Sequence, residues 1–151
     1  MAPPSPPFVP VDFIAPTTFA GPGFYLEPLA AKHNERDHEA WSSSMEHIHK
    51  TPGMEGRDWP HAMTLAENLA DMEMHWNEFL QRTAFTYSIL DKDDQVIGCV
   101  YIYPDTETDA DAHVRSWVRQ SRAEMDRVVW QSISEWLLTE WPFTKLRYKE
   151  R

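Results

Sequence analysis

The residues best placed by type and spacing to do chemistry lie in the second half of the chain. The run Trp117-Val118-Arg119-Gln120-Ser121-Arg122-Ala123-Glu124 joins an alternating segment to a helical one. In α/β proteins ligands collect beyond the carboxyl ends of strands, so this junction is the first place to look for function. Ser121 and Glu124 read as a capping box, in which a hydroxyl and a carboxylate each satisfy an orphan amide of a helix start. His113, flanked by Asp111 on the preceding strand, is the best general-base candidate, with a structural role as the alternative. No Ser-His-Asp or Cys-His arrangement has a workable spacing.

Metal chemistry is not expected. His47, His49 and His61 lack a Cys or acidic partner at a spacing that would complete a zinc site, and read as loop and helix-surface histidines. Asp105-x-Glu107-x-Asp109-x-Asp111 alternates like a calcium loop. It lacks the mid-loop glycine and the terminal bidentate glutamate, so a solvated acidic connection is expected. The single cysteine, Cys99, excludes an internal disulfide and sits in an apolar run, as a buried inert thiol would.

The elements that must position these groups follow from periodicity. Val114, Ser116 and Val118 alternate with His113, Arg115 and Trp117, as in a strand. Met125, Val129, Ile133, Trp136 and Leu137 then form one helical stripe, stopped by Trp141-Pro142. With a further strand over Phe143–Tyr148 this is a right-handed parallel crossover. Upstream, Phe24–Leu29 reads as a strand and Asn34–Ile48 as a helix. Thr64-Leu65-Ala66-Glu67 is a capping box whose helix directs Leu65, Leu69, Met72, Trp76, Phe79 and Leu80 to one face. Phe85–Leu90 and Val96–Tyr103 form a hairpin around Asp91–Gln95, and Gly98 marks a bulge or a close backbone approach.

With 151 residues the chain is read as one domain over residues 23–151, preceded by a proline-rich extended arm over residues 1–22. The arm holds seven of the twelve prolines, which forbids a helix, yet also Phe8, Val9, Phe13 and Phe19. Its second half should therefore lie on the domain or on a partner, and its first few residues should be loose. A net charge of −10 argues against nucleic acid and anionic lipid as partners. No long uncharged apolar run crosses a membrane and no basic amino terminus starts a signal peptide, which makes a cytoplasmic protein the expectation.

The order of elements, with Val96-Ile97-Gly98-Cys99-Val100-Tyr101-Ile102 in the third strand, resembles the GCN5-related N-acetyltransferases (GNAT), and in particular short actinobacterial members. The resemblance implies an α/β (α+β) fold with a mixed sheet, an antiparallel meander plus one parallel β-α-β crossover; the family adds a helix and two strands after the fifth strand, whereas this chain is expected to be truncated there. It implies acetyl-CoA at Trp117, Val118, Arg119, Ser121, Arg122 and Ala123, where the family binds pyrophosphate and the pantetheine arm. It also implies an amine substrate, small-molecule or protein, near the loop residues Arg57, Trp59 and His61.

The phosphate loop departs from the family pattern. Gln120-Ser121-Arg122-Ala123-Glu124-Met125 contains no glycine, and Glu124 and Asp126 place carboxylates in the first turn of the helix, where they repel a diphosphate. Acetyl-CoA binding is therefore expected to be weak or lost. An N-acetyltransferase and a catalytically silent binding or dimerisation module both stay open. Ending after the fifth strand leaves an unpaired edge, which predicts a homodimer with the arm as cover in trans, or a monomer with Lys145, Arg147, Lys149 and Arg151 blunting that edge.

Overall fold

The strands that alternation predicts assemble in chain order. In this computed structural model, which describes residues 6–151, β1 (Phe19–Gly21), β2 (Phe24–Pro28), β3 (Phe85–Leu90), β4 (Val96–Tyr103), β5 (Ala112–Val118) and β6 (Leu146–Tyr148) form one sheet in the order β1-β2-β3-β4-β5-β6. Every neighbouring pair is antiparallel except β5 and β6, whose parallel pairing closes the expected crossover. The sheet thus has six strands, not five. The additional one, β1, comes from the proline-rich arm, with Phe19 opposite Leu26 and Gly21 opposite Phe24. The last strand is shorter than Phe143–Tyr148. The Asp111 carboxylate accepts the amides of Thr144 and Lys145 at 2.7 and 3.0 Å, which makes that stretch a capped turn.

The arm packs on its own domain. Val9 is buried, Phe8 stacks on Phe143 with centroids 5.4 Å apart, and Phe13 lies 5.0 Å from Trp141. Arg82 donates to the carbonyls of Phe13 and Pro10, and Tyr87 donates its hydroxyl to Pro16. Prolines have no amide to satisfy, so these carbonyls are the arm's main handles. Residues 1–5, the part expected to be loose, lie outside the described residues.

Among the described residues, four α-helices and two 3-10 turns cover the sheet. α1 (Asn34–Ser42) follows a 3-10 turn, Ala31–His33, and α2 (Met45–Lys50) follows α1. One helix over Asn34–Ile48 is not what forms, because Ser42-Ser43-Ser44 interrupts it. The Ser43 hydroxyl bonds back to the Ala40 carbonyl, and the Ser44 hydroxyl accepts the Gln120 amide at 2.9 Å.

α3 (Leu65–Gln81) starts in the predicted capping box. Thr64 Oγ1 accepts the Glu67 amide, and Glu67 Oε1 accepts the Thr64 amide. Its inward face is rotated from the predicted stripe. Asn68 and Met72 are buried, while Leu65 and Leu80 are 46% and 60% exposed. The cause is polar: Asn68 bonds across to α1 through Asn34, Asp37 and Trp41. α4 (Asp126–Glu140) crosses the other face.

Two apolar layers result. Leu26, Tyr87, Ile89, Val100, Val114, Val129, Ile133 and Trp136 pack between sheet and α4, with the arm against them. Trp41, Ile48, Met54, Met72, Cys99 and Trp117 pack between sheet and α1–α3. Cys99 is fully buried there, and burial pushes its thiol well above the usual range. At Gly98 a Cβ would lie 2.1 Å from the Trp117 carbonyl oxygen, so β4 and β5 approach here as only glycine allows. The pairing of β3 with β4 also slips by one residue between Ile89 and Leu90, a bulge beside that glycine. Among the described residues no helix is long and apolar enough to cross a membrane.

Candidate acceptor cavity and donor edge

Strand alternation sends Tyr101, Tyr103 and Arg115 to the face covered by α1 and α3, and a cavity of about 350 Å³ opens between them. Its lining carries charge of both signs, Asp37 and Asp71 against Arg57 and Arg115, together with Trp59, Met72, His75 and the two tyrosines.

Asp37 is the most constrained of these groups. It sits one helical turn before Trp41 on the buried stripe of α1 and is only 3% exposed. Asn68 Nδ2 donates to Asp37 Oδ2 at 3.1 Å, and Asn68 Oδ1 accepts the Trp41 indole N–H at 3.0 Å. Burial pushes the Asp37 carboxyl up to about 6, with Asp71 adding to the rise and the Asn68 hydrogen bond opposing it. A carboxylate that titrates near neutral pH beside open space can hold a cationic amine and take its proton.

The aromatic wall is fixed from behind. Trp59 lies 5.6 Å from Trp41 and 6.0 Å from Trp117, centroid to centroid, and the Trp117 indole N–H donates to the Tyr101 hydroxyl at 2.9 Å. Tyr103 donates to Glu78 Oε1 at 2.6 Å, and His75 Nδ1 lies within 3.3 Å of its hydroxyl. Burial lowers His75 below the ordinary imidazole range, with Glu78 opposing. Arg115 is half-buried and Arg57 exposed; among the described residues neither forms an ion pair.

Beside this cavity, where β6 leaves β5 after Val114 and Tyr148, a second and open depression of about 610 Å³ is lined by Gly53, His113, Arg115, Arg147, Tyr148 and Lys149. Arg115 borders both. His113 therefore lies in the outer depression and outside the inner cavity. Its Nδ1 accepts from Arg147 Nη2 at 2.7 Å, which leaves the ring proton on Nε2. Burial, with Arg115 and Arg147 nearby, pulls it down to about 4. Of the predicted substrate residues, Arg57 and Trp59 line the cavity; His61 is exposed and outside it. Asp37, Asn68, Asp71, His75, Tyr101, Tyr103 and Arg115 are site residues that the sequence reading did not single out.

The junction after β5 is not capped as predicted. Gln120–Met125 is a 3-10 turn whose N-cap is Arg119, with no side-chain cap, and α4 begins only at Asp126. Ser121 lies inside the turn. Glu124 instead accepts from Arg122 Nε at 3.1 Å. The Gln120 amide is taken by Ser44 and the Arg122 amide by the Arg119 carbonyl, which ties this stretch into a 3-10 turn with Ser121 at its second position rather than at a helix N-cap. Thr64→Ala should accordingly cost about 1 kcal/mol, whereas Ser121→Ala should change stability by less than about 0.5 kcal/mol. Urea midpoints for the two variants check this contrast.

The two arginines that could meet a diphosphate at this turn are already engaged. Arg119 is clamped by both oxygens of Glu39 at 2.6 Å, and Arg122 is bound by Asp91 at 3.0 Å and by Glu124. Trp117 and Val118 are buried in the two cores, and Ser121 and Ala123 are exposed. The edge of β5 past Val114 is also covered. Arg151, its side chain 3% exposed, donates to the Ser116 carbonyl and to Asp126 Oδ2, each at 2.7 Å. Its guanidinium lies 5.8 Å over the Tyr148 ring.

No protein-family model matches this chain, and no curated protein matches it significantly. Solved structures share its fold. The ribosomal-protein-S5-alanine acetyltransferase from Vibrio fischeri gives a TM-score of 0.58 at 15% identity, over 80% of this chain and 67% of that one. The microcin C7 self-immunity acetyltransferase MccE, solved with acetyl-CoA and AMP, gives 0.61 at 15% identity, over 76% and 61%. A GNAT-family acetyltransferase from Bacillus anthracis gives 0.53 at 11% identity, over 82% and 67%. The chain spans about two thirds of these neighbours' lengths, or less. At such identities the likeness establishes architecture: the chain has the fold of the GNAT acetyltransferases.

Proposed function

We propose that the protein is an N-acyltransferase acting on a small amine held in the inner cavity, with an acyl-CoA as donor bound weakly. The observation that carries this reading is Asp37, a buried carboxylate facing a cavity on the sheet face beside the point where β5 and β6 part. An acyl-CoA supplies a thioester carbonyl as the electrophile. The chain's own residues do the rest. Asp37, ionised at neutral pH, binds the acceptor's ammonium and takes its proton, which frees the nitrogen lone pair. Trp59 and Tyr101 wall the amine off from water, and Arg115 stands where the two depressions meet.

A second reading, a GNAT-fold protein that binds its amine without acyl transfer, is favoured by the Arg151 side chain on the β5 edge and by the occupied turn amides. Incubation with acetyl-CoA and a panel of small amines, followed by titration of released thiol, separates the two. Amine-dependent release that disappears in Asp37→Asn is the expected result. Amine binding without release leaves the second reading; neither binding nor release sinks both.

A further inference from the structure

We propose, building on the acceptor cavity described above, that its ligand is a small zwitterion whose ammonium rests at Asp37 and Asp71 and whose carboxylate is held between Arg57 and Arg115. Two like-charged pairs in one lining are the first ground. Asn68, which donates to Asp37 at 3.1 Å, lies one helical turn before Asp71 on α3, and Asp71 adds to the rise that burial causes in Asp37. Arg115 borders both the inner cavity and the outer depression; burial lowers it first, then Arg57 and Arg147, with Glu107 and Asp105 opposing. Like charges brought together in the lining of one cavity repel one another, and a ligand carrying both opposite charges relieves both pairs.

The second ground is the missing partner. Arg119, Arg122, Arg147 and Arg151 each have a carboxylate within 3.0 Å, whereas Arg115, half-buried, has none among the described residues. A partly desolvated guanidinium is best matched by a planar carboxylate it can bind with two donors. The third ground is size and sign. About 350 Å³ suits a small ligand and not a folded partner. A chain of net charge −10 attracts a ligand of zero net charge more readily than a phosphorylated one.

The arginine pair also discriminates. An amine on a longer polypeptide would present a neutral amide to Arg57 and Arg115, where the zwitterion presents its charge. The test uses calorimetry without any acyl-CoA. Free, carboxyl-amidated and N-acetylated forms of glycine, alanylglycine and 6-aminohexanoate sample the spacing between the ends. The expected result is one spacing at which the free form binds at least 10-fold tighter than either blocked form. Arg115→Gln should bring the free and amidated forms to within about 3-fold of each other, and Asp37→Asn should do the same for the free and N-acetylated forms. Should the amidated form bind as well as the free one while the N-acetylated form fails, the carboxylate pole is overturned and the amine site stands. Should the N-acetylated form bind as well as the free one, the ammonium pole is overturned. Failure of every form at every spacing overturns this inference and the acceptor reading together.

Discussion

Asp37→Asn should make the protein more stable at pH 7 by about 1–3 kcal/mol while lowering amine acylation by about 100-fold or more. The two effects have one cause. The carboxyl is 3% exposed and is held at about 6, far above the value of about 3.9 expected for an unfolded chain. Native protein therefore binds more protons than unfolded protein between those values, and this group's contribution to stability falls as pH rises from about 4 to about 6. Above pH 6 the whole cost of a buried carboxylate is present. Asparagine removes the charge yet keeps an oxygen to accept from Asn68 Nδ2, so the bridge between α1 and α3 survives. The measurement is the difference in urea midpoint between variant and parent at several pH values. It should be near zero at pH 4 and grow through pH 6, and amine binding by the parent should weaken over the same interval on acidification. A variant less stable than the parent at pH 7 would show that the carboxylate is compensated by something other than Asn68.

Arg151→Met should lower stability by about 2–4 kcal/mol and raise the affinity for acetyl-CoA. Removing one partner of a buried ion pair leaves an uncompensated charge, a loss of about 3–5 kcal/mol when burial is complete. Asp126 retains some access to water, its side chain being 22% exposed, so the smaller figure applies. Its Oδ1 already lacks a hydrogen-bond partner, which adds to the strain of losing the guanidinium. Methionine keeps the length and apolar stem but cannot donate to the Ser116 carbonyl, so the β5 edge past Val114 regains a free acceptor. Thermal melts and acetyl-CoA titrations on both proteins report the two effects separately. An unchanged melting temperature would contradict the role given to the guanidinium, and unchanged acetyl-CoA affinity would place the obstacle in the Gln120–Met125 turn alone.

Much of the architecture was legible because backbone periodicity dominates where one face is buried. The strands at Phe85, Val96 and Ala112, the Thr64–Glu67 box and the α4 stripe through Val129 and Ile133 all follow from alternation or steps of three and four. What escaped depends on side chains of one element meeting those of another. Nothing local near Ser121 reveals that Ser44, more than seventy residues earlier, takes the Gln120 amide and helps to tie this stretch into a 3-10 turn. The face of α3 was misjudged for the same reason, since counting apolar residues cannot see that Asn68 has polar partners waiting on α1. Arg57 and Trp59, singled out from their loop, line the cavity, but its carboxylate was missed although a signal existed. Asp37 precedes Trp41 by four residues on the apolar side of its helix, and an acid on a buried stripe is costly enough to call for a function. Tyr101, Tyr103 and Arg115 could likewise have been found by asking which residues share a face with Cys99 and Trp117.

The arm's fastening bears on the order in which the chain can close. Its handles are distant in sequence: Arg82 reaches Pro10 across 72 positions, Tyr87 reaches Pro16 across 71, and Phe8 rests on a ring at Phe143. Contacts between such remote segments carry the largest loop-closure entropy and form after local ones. The surface made by Phe85, Trp141 and Phe143 must already exist before the arm has anything to lie on. The proline-rich segment is therefore a late-docking latch: during folding that aromatic surface stays open to solvent until β3, α4 and the turn before β6 are in place.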